Sequence, residues 1–391
     1  MKRIKEYVAD VTKNNITKFM IIIEMLVIFI VFQVLTGGLF MSSRNLSNLL
    51  VQSCTYSLLG IGMTLVMVAG HIDLSVGSVV GFLGAFAAML EVKLGCPAVV
   101  TIAATIALGI LIYCWQGYWI ACRHIPAFIV TLSGQLLFKG GTLWITNGAS
   151  IGPMSENFSK LGRDVLPKIL FKDAAWNDAS ILFALILAAL YLFITLQQRK
   201  SDLKFQLDVP SVKKVILKTA AVFLLIGFLT YILVSYKGIP YAVILLILMA
   251  VLFFFISQNT RFGRNVYAIG GNKDAAKLSG INIEKTNMMI FISMGFIASL
   301  ASITFLGRVG QATAVAGTNF EFSAITGCIV GGTSTLGGVG TIPGAVIGTI
   351  LMAGIDNGMS LMNLPATSQY IVKALVLLFA VAVDVASKRE K

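Results

Sequence analysis

Apolar runs of about twenty residues, the length a helix needs to cross a hydrocarbon layer, recur from one end of this chain to the other. Nine are long: 19–38, 46–69, 97–122, 126–146, 179–197, 217–236, 239–257, 287–306 and 367–386. Three more, 77–91, 323–336 and 341–358, are shorter, rich in glycine and set beside polar breaks. Short or broken helices persist at membrane depth only where protein buries them or where they line a water-filled cavity. Of the 391 residues, 57% are hydrophobic and 12% charged, against about 25% charged in soluble domains. A soluble enzyme, a secreted disulfide scaffold and a disordered chain are therefore excluded. The expected fold is all-α: a polytopic transmembrane helical bundle of about 10–12 crossings, forming one domain over 19–386 and including short or broken glycine-rich helices.

The chain carries 30 Lys and Arg against 17 acids, a formal net charge of +13. In a soluble protein such an excess would suggest nucleic acid. In a membrane protein it reports topology first, because cytoplasmic loops collect Lys and Arg. Twelve crossings with the N-terminus inside place both termini in the cytoplasm. The inner segments are then a tail at 1–18, a turn at Arg123, a basic loop at 198–216 (with Lys218), a loop at 258–286 and a tail at 387–391. They hold 20 Lys and Arg against 7 acids, while the outer segments hold 8 against 5. No nucleic-acid partner is needed to explain the charge. The basic loop suits contact with anionic lipid. No small-residue cleavage site follows the first apolar run, so the N-terminus reads as a tail and a membrane helix, not a signal peptide. The outer loop at 147–178 is long enough to expect structure or function of its own.

Polar chemistry concentrates in a few places. Residues 70–78 set His71, Asp73, Ser75 and Ser78 inside an apolar region. Ionisable residues at that depth are expensive and are functional candidates. Asp73 or Ser75 would alternatively cap the short helix that follows. Lys139 lies near the middle of the 126–146 run, where it would pair with an acid or extend towards the interface. Trp115 and Trp119 suit an interfacial belt.

The loop at 258–286 has a legible local design. Asn272 is a good N-cap, Asp274 and Lys277 match the dipole of a helix over 273–279, and Gly280 suits the left-handed position beyond its end. Two turns are too short to be stable alone, so this helix must pack on something. Ala275 and Ala276 are small enough for close approach to a partner's groove. The glycines of 327–344 superficially suggest a phosphate loop, but that loop needs a lysine directly after its last glycine. No Gly-Lys pair occurs anywhere in the sequence, and tight helix packing is the better reading. The five cysteines, Cys54, Cys96, Cys114, Cys122 and Cys328, form no CxxC pair. No metal cluster or catalytic constellation is evident.

At these residues the sequence resembles a known family. GHIDLSVGS at 70–78, IPAFIVTLSGQLLFKGGTLWITNG at 125–148, TRFGRNVYAIGGNKDAAKLSGI at 260–281 and GGTSTLGGVGTIPGAVIG at 331–348 are similar to the permease subunits of bacterial monosaccharide ABC importers. The type is that of ribose, xylose and galactose, and the long stretch at 179–257 looks like the longer xylose or multiple-sugar subtype. The resemblance implies a homodimeric channel in the bacterial cytoplasmic (inner) membrane. Its partners would be a cytoplasmic ABC ATPase carrying ATP-Mg and an extracytoplasmic sugar-binding protein, with no cofactor or enzyme activity in this chain. It implies that 272–280 is the helix coupling the channel to the ATPase. The coupling residues would be Gly263, Arg264, Gly270, Asn272, Asp274, Ala275, Ala276, Ser279 and Gly280. Candidates for the substrate pathway or gate are His71, Asp73, Ser75, Ser78, Lys139 and Asn147. On this reading Ala276→Glu uncouples transport. The competing expectation is an ion-coupled secondary transporter using Asp73 and Lys139.

Overall fold

The computed structural model describes residues 21–171, 173–174, 176–205 and 211–389. The expected tail at 1–18, part of the basic loop (206–210) and the last two residues of the C-terminal tail lie outside the described residues. Every apolar run forms a helix. In chain order these are α1 (Ile21–Leu35), α2 (Ser43–Val68), α3 (Val76–Ala88), α4 (Ala98–Gly117), α5 (Ala127–Thr146), α6 (Glu156–Arg163), α7 (Asp178–Lys204) and α8 (Val212–Val234). They continue as α9 (Tyr241–Asn259), α10 (Arg261–Gly271), α11 (Lys273–Leu278), α12 (Ile283–Val309), α13 (Phe320–Val330), α14 (Ile342–Leu361) and α15 (Ala366–Arg389). Among the described residues, ten helices are long and apolar enough to cross a membrane, α3 counting with its continuation to Lys93, and α1 and α13 are shorter apolar helices. No strand occurs among the described residues, only two isolated bridges.

Helix α2 is the centre of the bundle. It is buried along most of its length and packs on α12, α13, α14 and α9. Helix α12 also packs along α4, and α3 pairs with α5. The extra pair α7 and α8 pack mainly on each other and turn large apolar side chains such as Leu185, Phe193, Leu224 and Phe228 outward. Those faces suit lipid, since a helix surrounded by hydrocarbon has no reason to hide its leucines.

The glycine-rich segment is a packing device. Gly331 faces Gly344, and Gly327 faces Gly348, where α13 crosses α14. A methyl group on Gly348 would overlap the Gly327 carbonyl, and one on Gly331 would overlap that of Gly344. The run expected at 323–336 stays helical only to Val330. Beyond it, residues 331–341 form a non-helical strap running back to α14.

The long loop at 147–178 has structure of its own. Ser155 caps α6 by accepting the Phe158 amide at 3.3 Å. Arg163 at the end of α6 donates to the carbonyls of Arg308 and Val309, each at 3.0 Å. These are terminal carbonyls of α12, which a cation satisfies best. Asn177 caps α7 through the Ser180 amide at 2.9 Å and donates back to the Leu166 carbonyl at 2.6 Å. The Asp178 carboxylate gathers the amides of Ile169, Leu170 and Phe171. The loop is thereby fastened over one end of α12 and α7.

Candidate functional site

The link from α9 to α12 is built residue by residue from the caps that its sequence shows. Thr260 accepts the Gly263 amide at 3.1 Å and starts α10. Gly263, Val266 and Ile269 form the buried face of α10, and Arg264 is exposed. The Tyr267 hydroxyl donates to the Gly340 carbonyl at 2.7 Å. Gly270 sits so close to the Val68 carbonyl that any side chain there would collide with it. The Gly338 amide donates to that same carbonyl at 2.8 Å. Three elements meet at this point: α10, the end of α2 and the strap before α14.

Helix α11 follows at once. Asn272 is its N-cap, accepting the Ala275 amide at 2.9 Å. Asp274 lies in the first turn and Lys277 in the last, and Gly280 takes φ +80° beyond the end. The Ser279 hydroxyl donates to the Ala275 carbonyl at 2.9 Å. The two alanines separate: Ala275 is exposed, whereas Ala276 packs against the rest of the chain at 4% exposure. The apolar residue that α11 presents outward is Leu278, at 90% exposure. A glutamate at position 276 would therefore strike the packing beneath α11 and leave its outward face intact.

A cavity of about 890 Å³ lies beside α11, lined by Lys273, Asp274 and Lys277 and by His71, His124, Glu284 and Asn287. Both histidines of the chain face this one space. His124 Nε2 stands 3.6 Å from Glu284 Oε1. Burial holds the His71 imidazole below the usual histidine range, and the charge of Lys273 adds to this, with partial relief from Asn287.

Asp73 is fully buried. Its carboxyl accepts from the Tyr113 hydroxyl at 2.5 Å, the Ser75 amide at 2.8 Å and the Ser75 hydroxyl at 2.7 Å. Gln116 donates to the Ser75 hydroxyl at 3.0 Å. Asp73 and Ser75 thus tie the start of α3 to α4. Tyr113 and Gln116 escaped the sequence reading, although they stand three residues apart on one face of the 97–122 run. Tyr113→Phe is expected to destabilise the fold by about 1–3 kcal/mol, the cost of leaving a buried acceptor without its partner. Thermal melting of the purified chain checks this, and a melting point equal to that of the parent would deny Asp73 its bracing role.

Ser78 and Lys139 come together elsewhere. They line a cavity of about 60 Å³ with Gln135, Thr142, Asn319 and Glu321, which Asp73 does not line. Gln135 Nε2 donates to Glu321 Oε1 at 2.9 Å. Asn147 stands apart as the left-handed C-cap of α5. Glu321 and Gln135 were also missed from sequence. The available signal was an acid in the first turn of a short apolar helix.

Comparison with known proteins agrees with this architecture. The family model described as branched-chain amino acid transport system / permease component matches residues 45–200 and 176–381. The xylose transport system permease protein XylH of Haemophilus influenzae is 42% identical over 96% of this chain and 98% of its own. The Escherichia coli protein of the same name is 40% identical over 96% and 93%. The ribose import permease protein RbsC of Escherichia coli is 31% identical over 93% and 92%. No solved structure matches the chain. With the family model spanning most of its length and these relatives aligned almost end to end, the chain belongs to the branched-chain amino acid transport system / permease component family.

Proposed function

We propose that this chain is the membrane permease subunit of an ATP-driven importer of monosaccharides, xylose or a related sugar, in the bacterial inner membrane. The relatives' names supply the substrate class. The observation that carries the mechanism is α11: a capped helix on a loop whose one large apolar side chain, Leu278, is 90% exposed. Such a residue fits a groove on a soluble partner. The partner is a cytoplasmic ATPase that holds ATP-Mg, and the chain works as a homodimer. An extracytoplasmic sugar-binding protein delivers the sugar at the opposite end, where the 147–178 loop lies. Both termini and the basic loop then face the cytoplasm, a placement that the charge asymmetry supports.

Movement of α11 would pass into the bundle where Gly270 abuts Val68 and Gly338. That point joins the coupling loop to α2 and to the strap, so a shift there changes how α2, α13 and α14 pack. ATP binding on the partner would bias one of two such packings, which is all that a ligand can do.

Proteoliposomes holding the chain, its ATPase and its binding protein test the reading. Uptake of labelled D-xylose should require ATP and survive a protonophore. Uptake driven by a proton gradient with no ATPase present would replace this reading with ion coupling.

A further inference from the structure

We propose that Glu321, Gln135, Lys139 and Ser78 form a subsite for two neighbouring hydroxyls of a polyhydroxylated ligand, a reading that rests on sugar transport. Glu321 is 2% exposed. One of its oxygens, Oε1, accepts from Gln135 at 2.9 Å. The other, Oε2, receives no hydrogen bond from any other described residue. A buried polar atom left this way is costly, and native structures rarely keep one without use. The backbone makes room for it, because any side chain on Gly77 would collide with Oε2. Glu321 also occupies the first turn of α13, where the helix dipole favours an acid.

The surrounding donors complete the pattern. A sugar hydroxyl both donates and accepts. A carboxylate takes its proton, while an amide and an ammonium give N–H to its oxygen. Gln135, Lys139 and Asn319 line the same cavity as Glu321. Its volume of about 60 Å³ is that of about two waters, too small for a whole pentose but matched to two ring hydroxyls. Lys139 is exposed, so the space is reachable from outside the packed core.

The plainer alternative is that Glu321 only pins α13 to α5 through Gln135. Glu321→Gln separates the two. The amide oxygen still accepts from Gln135, while an NH2 group replaces Oε2 and turns an acceptor into a donor. Saturation-transfer NMR on the full chain in nanodiscs would use D-xylose and its 2-, 3- and 4-deoxy derivatives as probes. The parent should bind D-xylose and discriminate about fivefold or more against one deoxy sugar, the worth of one good hydrogen bond. Glu321→Gln should lose both the binding and the discrimination. Lys139→Met, at an exposed position, should weaken binding similarly and carries the test if Glu321→Gln fails to fold. Parent-like binding in the folded variants, or no saturation transfer to the parent, overturns the subsite. ATP-dependent uptake by the parent in proteoliposomes decides the importer reading separately, so the two failures are distinguishable.

Discussion

Leu278→Glu is expected to abolish ATP-driven sugar uptake while leaving the chain folded and inserted in the membrane. Leu278 is 90% exposed, so replacing it removes almost no internal contact. Covering such a side chain in a partner's groove is worth about 1.5–3 kcal/mol. A carboxylate in its place forfeits that and adds a desolvation cost, taking the loss to roughly 3–5 kcal/mol. At about 1.4 kcal/mol per tenfold, docking should weaken by roughly two to three and a half orders of magnitude. The readouts are co-purification of the ATPase, its stimulation by the reconstituted complex, and D-xylose uptake. Ala276→Glu makes the contrast. It places a charge where the site is 4% exposed, so its first effect should be lower abundance and a lower melting point. If Leu278→Glu still transports at the parent rate, α11 does not dock through this face.

The α11 region also shows which kind of feature a sequence displays. Caps are local, so Asn272, Asp274 and Gly280 could be read from their spacing alone, and the helix ends one residue earlier than expected. Apolar runs are local too, and each of the twelve contains a helix, although the run at 323–336 stays helical only to Val330. What spacing could not give is which face of a two-turn helix meets its own protein. Ala275 and Ala276 are chemically identical, and only the packing beneath α11 distinguishes them. Asp73 carries the same lesson. Its residue type and depth suggested a pathway or a cap, but Tyr113 lies forty residues away and meets it only through the contact of α3 with α4. Glu321 and Gln135 are 186 residues apart, so neither announces the other. The glycines of 327–344 were legible because removing a side chain has one common use at membrane depth, close approach of backbones.

The buried ion pair between α14 and α15 could not be read from the sequence either, and it carries the largest expected effect on stability. Lys373 lies within the apolar run at 367–386 and Asp356 near the end of the shorter run at 341–358, so the two charges belong to separate segments. Lys373 Nζ lies 2.8 Å from Asp356 Oδ2, with both side chains largely buried. The ammonium also stands 6.0 Å from the centre of the Tyr56 ring on α2. Helix α15 has no fully buried residue in its apolar window, and its apolar contacts come from partly buried residues such as Val372, Val376 and Leu377. A further polar tether is Asp384, which accepts from the Thr335 amide at 3.1 Å and hydroxyl at 2.8 Å. Losing one member of the pair strands the other charge away from water, at a cost of about 3–5 kcal/mol. Lys373→Met and Asp356→Asn should therefore each lower the melting point and expose α15 to protease. The double variant leaves no stranded charge and should recover most of the loss, because removing both members of a buried pair is often nearly neutral. A double variant as damaged as the sum of the singles would mean that the two residues act independently. Single variants that melt with the parent would mean that water reaches the pair and that packing alone holds α15.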